Sequence, residues 1–480
     1  MAFINTSPRS KKFIKDFGIY TVGAIGTRII TFLMVSLYTY FIDDPADYGY
    51  YDLCLSVCML LLPLSTLQLR EGAFRFLLNN DDPQLKMSVV TSIGKMLAWN
   101  LAILLFACLV LSLTTDIQLF WYSVLLLLSM TIHEVMAQMC RGLGSNKVYV
   151  VSSLINATGI GLFSVVFVAW LDMGITGVFL ANILSRVITV LFIEFKMHVS
   201  RYVNGALLRQ QTTREILRYC LPMIPIALCW SFTVNSGRFF IKYFIDLEAN
   251  GIYAVSIRFT MVLQTISIIF YQTWQETSIA QFHSKDRDHL FTKIFYDFFY
   301  VLVFLLIGFV FLVKLNFSWL VDDNYRDSLQ YIYPLSVAAI LNALSAAYFE
   351  LGYQCSKETK RALPGIVLIF VVNIALGLVL TPAYGIWGIV LTSLLSYLIL
   401  DIYRFFDTRR YFKIGFSWSL LMPLAMLVLS AVPFYYSTSA WQDLAYMALA
   451  VTILLLFIPE DFKNKIRDAL HALTKRNAEA

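Results

Sequence analysis

Apolar stretches of roughly twenty residues recur from residue 17 to residue 458 of this 480-residue chain. A hydrocarbon core about 30 Å thick takes roughly twenty apolar residues to cross as a helix. A helix also satisfies its own backbone polar groups, which lipid cannot do. Fourteen such spans are predicted. Six begin near Phe17, Tyr50, Val89, Ile117, Tyr149 and Ile175, and six more near Tyr219, Ile252, Phe291, Tyr331, Leu363 and Ile386. The last two begin near Trp418 and Trp441. The composition agrees: 59% hydrophobic against 14% charged, where soluble domains hold roughly 45–50% and about 25%. The expected fold class is an all-α integral membrane protein of about fourteen transmembrane helices. The first apolar run is too long for a cleaved signal peptide and is expected to stay as a span.

The net charge of +6 would suit a nucleic-acid partner, but its placement points to a membrane instead. Cytoplasmic connections of membrane proteins collect Lys and Arg. With the N-terminus inside, 29 of the 37 basic residues fall in inside segments, and the outside loops hold only Lys242, Lys314 and Arg326. Both termini are therefore expected on the cytoplasmic face. The tail from Glu460 reads either as an amphipathic helix on that surface or as a solvated segment.

The chain also echoes itself. Tyr40-Phe41-Ile42-Asp43, followed by Gly49-Tyr50-Tyr51, returns one residue shorter as Tyr243-Phe244-Ile245-Asp246, followed by Gly251-Ile252-Tyr253. A weaker echo relates Gly174-Ile175-Thr176-Gly177 to Gly385-Ile386-Trp387-Gly388. Internal similarity in a membrane chain points to repeat-built transporters. The expected organisation is a cytoplasmic segment (1–16), six spans (17–198), a basic cytoplasmic linker (199–218), six related spans (219–404), two further spans (405–458) and a cytoplasmic tail (459–480). The halves join before Leu221-Pro222-Met223-Ile224-Pro225.

An ionisable side chain in hydrocarbon costs about 2.5–3.5 kcal/mol on insertion scales and should face a cavity or a partner. Arg28 is mid-span, on a face shared with Ala24 and Thr31; it lines a cavity or bonds a neighbouring helix. Arg258, in span eight, is a cavity cation or a snorkelling side chain. Arg186 is a similar mid-span candidate. Lys95 and Arg238, nearer span ends, are expected to snorkel. His133 and Glu134 in span four either carry a coupling proton or form a hydrogen-bonded core pair. Glu350 lies near a span end, where interfacial water accounts for it. The best-placed charges are thus arginines, whose guanidinium groups suit diphosphate oxygens through bidentate hydrogen bonds. That favours an anionic headgroup over a cationic drug.

Motifs for catalysis are missing. There is no Gly-x-x-x-x-Gly-Lys-Ser/Thr phosphate loop, no His-Glu-x-x-His and no nucleophile elbow. The seven cysteines lie mostly inside apolar runs at spacings that suggest neither a metal site nor a disulfide framework. The expectation is a non-enzyme with no metal and no bound cofactor, driven by a proton or sodium gradient or by consumption of its product.

Several short motifs, in order, resemble the Wzx-type polysaccharide or O-antigen repeat-unit flippases of the multidrug/oligosaccharidyl-lipid/polysaccharide (MOP) exporter superfamily. They are Leu69-Arg70-Glu71-Gly72-Ala73-Phe74-Arg75-Phe76, Arg141-Gly142-Leu143-Gly144-Ser145-Asn146-Lys147-Val148-Tyr149 and Leu221-Pro222-Met223-Ile224-Pro225. Gly251-Ile252-Tyr253-Ala254, Lys357-Glu358-Thr359-Lys360 and Gly385-Ile386-Trp387-Gly388 complete the series. The resemblance implies two pseudo-symmetric six-helix lobes around a cavity, two extra C-terminal helices and alternating access. It implies a bacterial cytoplasmic (inner) membrane location and an undecaprenyl-diphosphate-linked oligosaccharide as cargo, destined for O-antigen, capsule or exopolysaccharide. The polymerase and chain-length machinery of such a pathway become expected partners, and nucleic acid is not one. Cavity cations from helices one, two and eight carry over as Arg28, Arg70 or Arg75, and Arg258. Gly237 stands where such flippases often place an acid before the arginine, which leaves Arg238 without its expected partner.

A multidrug or cation antiporter of the same superfamily is the nearest alternative, and would place carboxylates in the spans. A membrane oligosaccharide polymerase or ligase is the alternative from another class, and would carry a large outer loop. A peptidoglycan-precursor flippase differs only in cargo.

Overall fold

The computed structural model describes residues 26–78, 82–356, 358–415 and 421–457. Helix α1 covers 26–41, α2 Pro45–Ser65, α3 Leu69–Leu77, α4 Pro83–Thr114 and α5 Phe120–Gly142. Helix α6 covers Asn146–Ser164, with a π-helical turn over Val165–Trp170, and α7 covers Gly174–Met197. Next come α8 (Gln210–Cys220), α9 (Met223–Phe244), α10 (Leu247–Gln281) and α11 (Arg287–Leu320). The chain continues through α12 (Leu329–Ala343), α13 (Glu350–Cys355), α14 (Leu363–Tyr384), α15 (Ile386–Thr408), α16 (Leu421–Tyr436) and α17 (Ala440–Phe457). The described residues contain no strand. Eleven helical stretches among them are long and apolar enough to cross a membrane, and two shorter apolar helices, Leu421–Tyr436 and Ala440–Leu454, follow. The protein is an all-α membrane protein. The expected N-terminal segment, the start of span one at Phe17, Lys357, the span start at Trp418 and the tail from Glu460 lie outside the described residues.

The chain forms two compact units. The first takes the chain up to Arg258 together with Val321–Arg326 and Ile366–Ile389; the second takes Phe259–Leu320, Asp327–Gly365 and the chain from Val390.

In the first unit the two Tyr-Phe-Ile-Asp echoes meet. Asp44 caps α2 by accepting from Ala46 N, with Pro45 preset for the first turn. Asp246 accepts from Ala249 N at the start of α10. Each capping Asp precedes its glycine by five residues, so the extra residue of the first copy is Asp43. A methyl group on Gly49 would fall on Leu247 O and lie 2.6 Å from Gly251 N; one on Gly251 would fall on Pro45 O and lie 2.8 Å from Pro45 C. The first turns of α2 and α10 therefore cross backbone on backbone, each through the glycine of its own repeat. Asn250 Nδ2 donates to Gly49 O (2.6 Å), and Tyr325 Oη donates to Ile42 O (2.9 Å) beside them. The weaker echo holds as well. Gly174 and Gly385 both adopt left-handed backbone (φ +51° and +60°), where glycine carries no Cβ penalty. A methyl group on Gly177 would lie 3.1 Å from Phe167 C, and one on Gly388 would lie 2.8 Å from Thr381 Cα.

A second core in this unit joins α3, α4, α5 and α8 through Leu69, Ala73, Ile93, Val135, Cys140 and Ile216. The second unit is aromatic. Phe291, Phe295, Phe298, Trp274, Tyr348 and Phe412 fill its core, with the Phe270 and Phe298 rings stacked at 3.5 Å. Two of its charges that sequence placed elsewhere are paired. Arg404 is buried and donates to Ser345 O (2.7 Å) and to Glu350 Oε2 (2.7 Å). Glu350 is thus held by an ion pair rather than by interfacial water alone. Lys314, counted by sequence with the outer loops, is half-buried and pairs with Asp443 (2.9 Å).

Candidate functional site

Alternation of antiparallel spans puts the C-terminal ends of α1 and α9 on one face with the N-terminal ends of α2, α7 and α10. Five helices of the first unit carry charge inward from that face. At about 1.5 Å per residue, Asp52 and Arg238 lie about 10 Å in along α2 and α9. Arg258, Arg186 and Arg28 lie about 16–20 Å in along α10, α7 and α1, near mid-depth of a roughly 30 Å core.

Asp52 is the centre of this cluster. Its carboxylate is 1% exposed; Oδ2 accepts from Arg238 Nε at 2.6 Å, and Oδ1 stands 3.4 Å from Arg258 Nη2. Arg238 is itself 4% exposed, so the expected snorkelling does not occur. The acid absent at Gly237 is supplied by Asp52 from another helix. Gly237 is needed there for space, since a methyl group would lie 2.6 Å from Tyr253 Oη and 2.8 Å from Ile389. Arg258 is held less tightly, and its Nε has no hydrogen-bond partner among the described residues. Arg28 forms no ion pair among the described residues and lies within the field of Arg258, a like charge. Tyr38, Tyr48 and Tyr51 surround these groups and are buried; Tyr38 is hydrogen-bonded with Ser164 Oγ (2.8 Å).

Arg186 folds back on its own helix, donating from Nη1 to Asn182 O (2.8 Å) and Oδ1 (3.1 Å). It sits within the fields of Tyr51 and Glu134. Further along, Arg70 Nη1 is 3.6 Å from Glu134 Oε2, and Arg70 Nε is 3.4 Å from Glu71 Oε1. His133 and Glu134 are not bonded to one another as a core pair; His133 Nε2 is buried with no hydrogen bond among the described residues, and Arg186 is its charged neighbour. Arg75 lies exposed near the end of α3 and is not brought to the cluster. Between α2 and α3 the chain breaks at Leu67 and Gln68, both in left-handed backbone (φ +48° and +54°) that non-glycine residues seldom adopt. Asn100 Nδ2 donates to the carbonyls of Leu64 (3.0 Å) and Ser65 (2.6 Å) at the end of α2.

The arrangement brings together Arg28, Arg258 and Arg186 from the sequence candidates and adds Arg238 and Asp52. Two of these guanidinium groups, Arg238 and Arg258, share the buried carboxylate of Asp52, while Arg28 and Arg186 make no ion pair among the described residues. The remaining charge is cationic and lies near mid-depth, where an ionisable side chain is costly unless it faces a cavity or a partner.

The family model described as polysaccharide biosynthesis protein matches residues 13–275, more than half of the chain. The chain belongs to the polysaccharide biosynthesis protein family. The fold of this family member is similar to that of the lipid II flippase MurJ in an inward closed conformation, with a TM-score of 0.74 at 12% identity over 93% of this chain and 99% of that one. It is also similar to an inward-facing multidrug resistance MATE family transporter of the MOP superfamily, with a TM-score of 0.63 at 15% identity over 82% of this chain and 98% of that one. An outward-facing conformation of such a MATE transporter aligns at a TM-score of 0.51 and 16% identity over 82% and 95% of the two chains. No curated protein matches the chain in sequence. The fold is therefore MATE- and MurJ-like, as the short motifs implied.

Proposed function

We propose that this polysaccharide biosynthesis protein is a flippase. It moves a polyprenyl-diphosphate-linked oligosaccharide repeat unit from the inner to the outer leaflet of a bacterial cytoplasmic membrane by alternating access. The assembled product is an O-antigen, capsule or exopolysaccharide. The observation that carries this reading is the excess of guanidinium over carboxylate around Asp52.

Arg28 and Arg258 repel one another in a medium of low dielectric. A diphosphate placed between them relieves that repulsion and accepts the bidentate hydrogen bonds that guanidinium groups offer. Arg258 is suited to the exchange, since its 3.4 Å contact with Asp52 is long and its Nε is uncommitted. Arg238, at 2.6 Å from Asp52, stays locked and keeps the carboxylate from competing for the cargo. Arg186 reaches the same region once it releases Asn182. The polyprenyl tail stays in lipid throughout. Arg70, His133 and Glu134 form the place where a proton or sodium ion couples to the cycle.

A cation antiporter is less well served by this site. Its acidic group would have to be open to a cationic drug, and Asp52 is 1% exposed and held by two arginines. A polymerase or ligase is disfavoured by the short connections over 42–44, 171–173 and 245–246.

The test is reconstitution of the full-length protein in liposomes carrying a fluorescent polyprenyl-diphosphate oligosaccharide. Protein-dependent movement between leaflets is expected. No movement across several glycans, with or without an ion gradient, would overturn the reading.

A further inference from the structure

A second feature of the first unit lies apart from the arginine cluster. Along α4, Lys95 is the last charge before a run of nineteen uncharged residues, Met96 to Thr114. At about 1.5 Å per residue that run is about 28 Å long, the thickness of a hydrocarbon core. Lys95 and Trp99 therefore mark the height at which α4 leaves the lipid tails. Trp99, Ile103, Phe106 and Leu113 form a stripe that is 64–81% exposed, the surface that acyl chains cover.

At this height α8 runs beside α4. It is tied there by hydrogen bonds from Thr213 Oγ1 to Ser92 Oγ (3.1 Å) and from Ser88 Oγ to Thr212 Oγ1 (3.3 Å). Between the two helices is a cavity of about 580 Å³, lined among others by Lys95, Trp99, Gln210, Met96, Ile103 and Leu217. No carboxylate lines it among the described residues. Lys95 makes no ion pair among the described residues, and Arg214 and Arg218 on the exposed face of α8 make none either. The groove thus offers uncompensated donors at one end and an apolar stripe leading away from them into lipid.

We propose that this groove binds one anionic phospholipid of the surrounding leaflet, with Lys95 Nζ on the phosphate, Gln210 beside it and an acyl chain along Ile103 and Phe106. A soluble anion would gain nothing from the apolar stripe. A zwitterionic lipid would bring a cation against Lys95. The lipid seats the linker helix α8 on α4 and is separate from the cargo.

Native mass spectrometry of the full-length protein, released from detergent with phosphatidylglycerol or phosphatidylethanolamine, reads the site. One phosphatidylglycerol adduct is expected, retained about fivefold over phosphatidylethanolamine, in keeping with one lysine near an anionic surface. Lys95→Gln is expected to abolish that preference, Lys95→Arg to keep it, and Leu217→Trp, which fills the groove, to remove the adduct of either lipid. Thermal unfolding close to that of the native chain shows that each variant is folded. Equal retention of the two lipids by the native protein, or a preference that survives Lys95→Gln, would overturn the proposal. So would displacement by chainless glycerophosphoglycerol at the same concentration, or a dimer that replaces the adduct and is lost on Lys95→Gln.

Discussion

Arg238 Nε on α9 donates to Asp52 Oδ2 on α2 across 2.6 Å, and neither side chain is more than 5% exposed. Residues 186 positions apart in sequence thus neutralise one another inside the first unit. The same carboxylate extends its other oxygen toward Arg258, 3.4 Å away on α10.

Removing Asp52 alone is expected to be costly. Breaking a buried ion pair leaves an uncompensated charge and costs about 3–5 kcal/mol. Asp52→Asn should therefore lower the thermal unfolding midpoint of the purified protein sharply, and Asp52→Asn combined with Arg238→Gln should recover much of the loss. An unchanged midpoint in the single variant would show that the pair contributes nothing to stability.

Arg28 forms no ion pair among the described residues, and its removal should separate transport from folding. Arg28→Ala is expected to leave membrane abundance unchanged while slowing leaflet exchange of the lipid-linked glycan at least tenfold. Loss of a charge-assisted hydrogen bond, about 1.5–3 kcal/mol, sets that scale. Arg28→Lys, which keeps the charge but not the fork, should fall between the two. Normal exchange by Arg28→Ala would remove Arg28 from the site.

The glycine crossing gives a stability test with an internal control. Gly49→Ala or Gly251→Ala puts a methyl group onto main-chain atoms of the other repeat, and overpacking of this kind costs about 1–3 kcal/mol or more. Gly308→Ala on α11 meets nothing within 4 Å and is expected to be neutral or to stabilise by up to about 1 kcal/mol. Thermal unfolding of the three variants should rank them in that order; equal midpoints would mean that α2 and α10 do not cross as described.

Glu134 is about one-third exposed and 3.6 Å from Arg70, a contact worth no more than about 1 kcal/mol. Glu134→Gln should leave stability nearly unchanged. Under the coupling proposal it should also blunt the response of transport to an imposed pH or sodium gradient. A full response in Glu134→Gln would place coupling elsewhere.

Much of the architecture was legible because lipid imposes simple rules. Helix length, the scarcity of charge and the repeated Tyr-Phe-Ile-Asp and Gly-x-Tyr signals all survive in a single strand of letters. The site was only half legible, and Asp52 shows why. With span two expected from Tyr50, Asp52 falls at its mouth, next to the acidic residues of the loop, and nothing in the sequence singles it out. The helix instead begins at Pro45, so Asp52 sits two turns inside it. Its partner could not be found by spacing, because α9 meets α2 only through the fold. Arg404 went the same way: read as one of an inside row of basic residues, it turns inward to Glu350 and Ser345 O.

The paired contacts of Gly49 and Gly251 also limit how the two copies of the repeat can diverge. Each glycine abuts main chain of the other copy, so no change of side chain in the partner makes room for a larger residue. Compensating substitutions, the usual route by which packed positions drift, are closed at both. Residues around the crossing are free to specialise, as Asp52 and Arg258 have done on either side of it, while these two positions must remain the same residue in both halves.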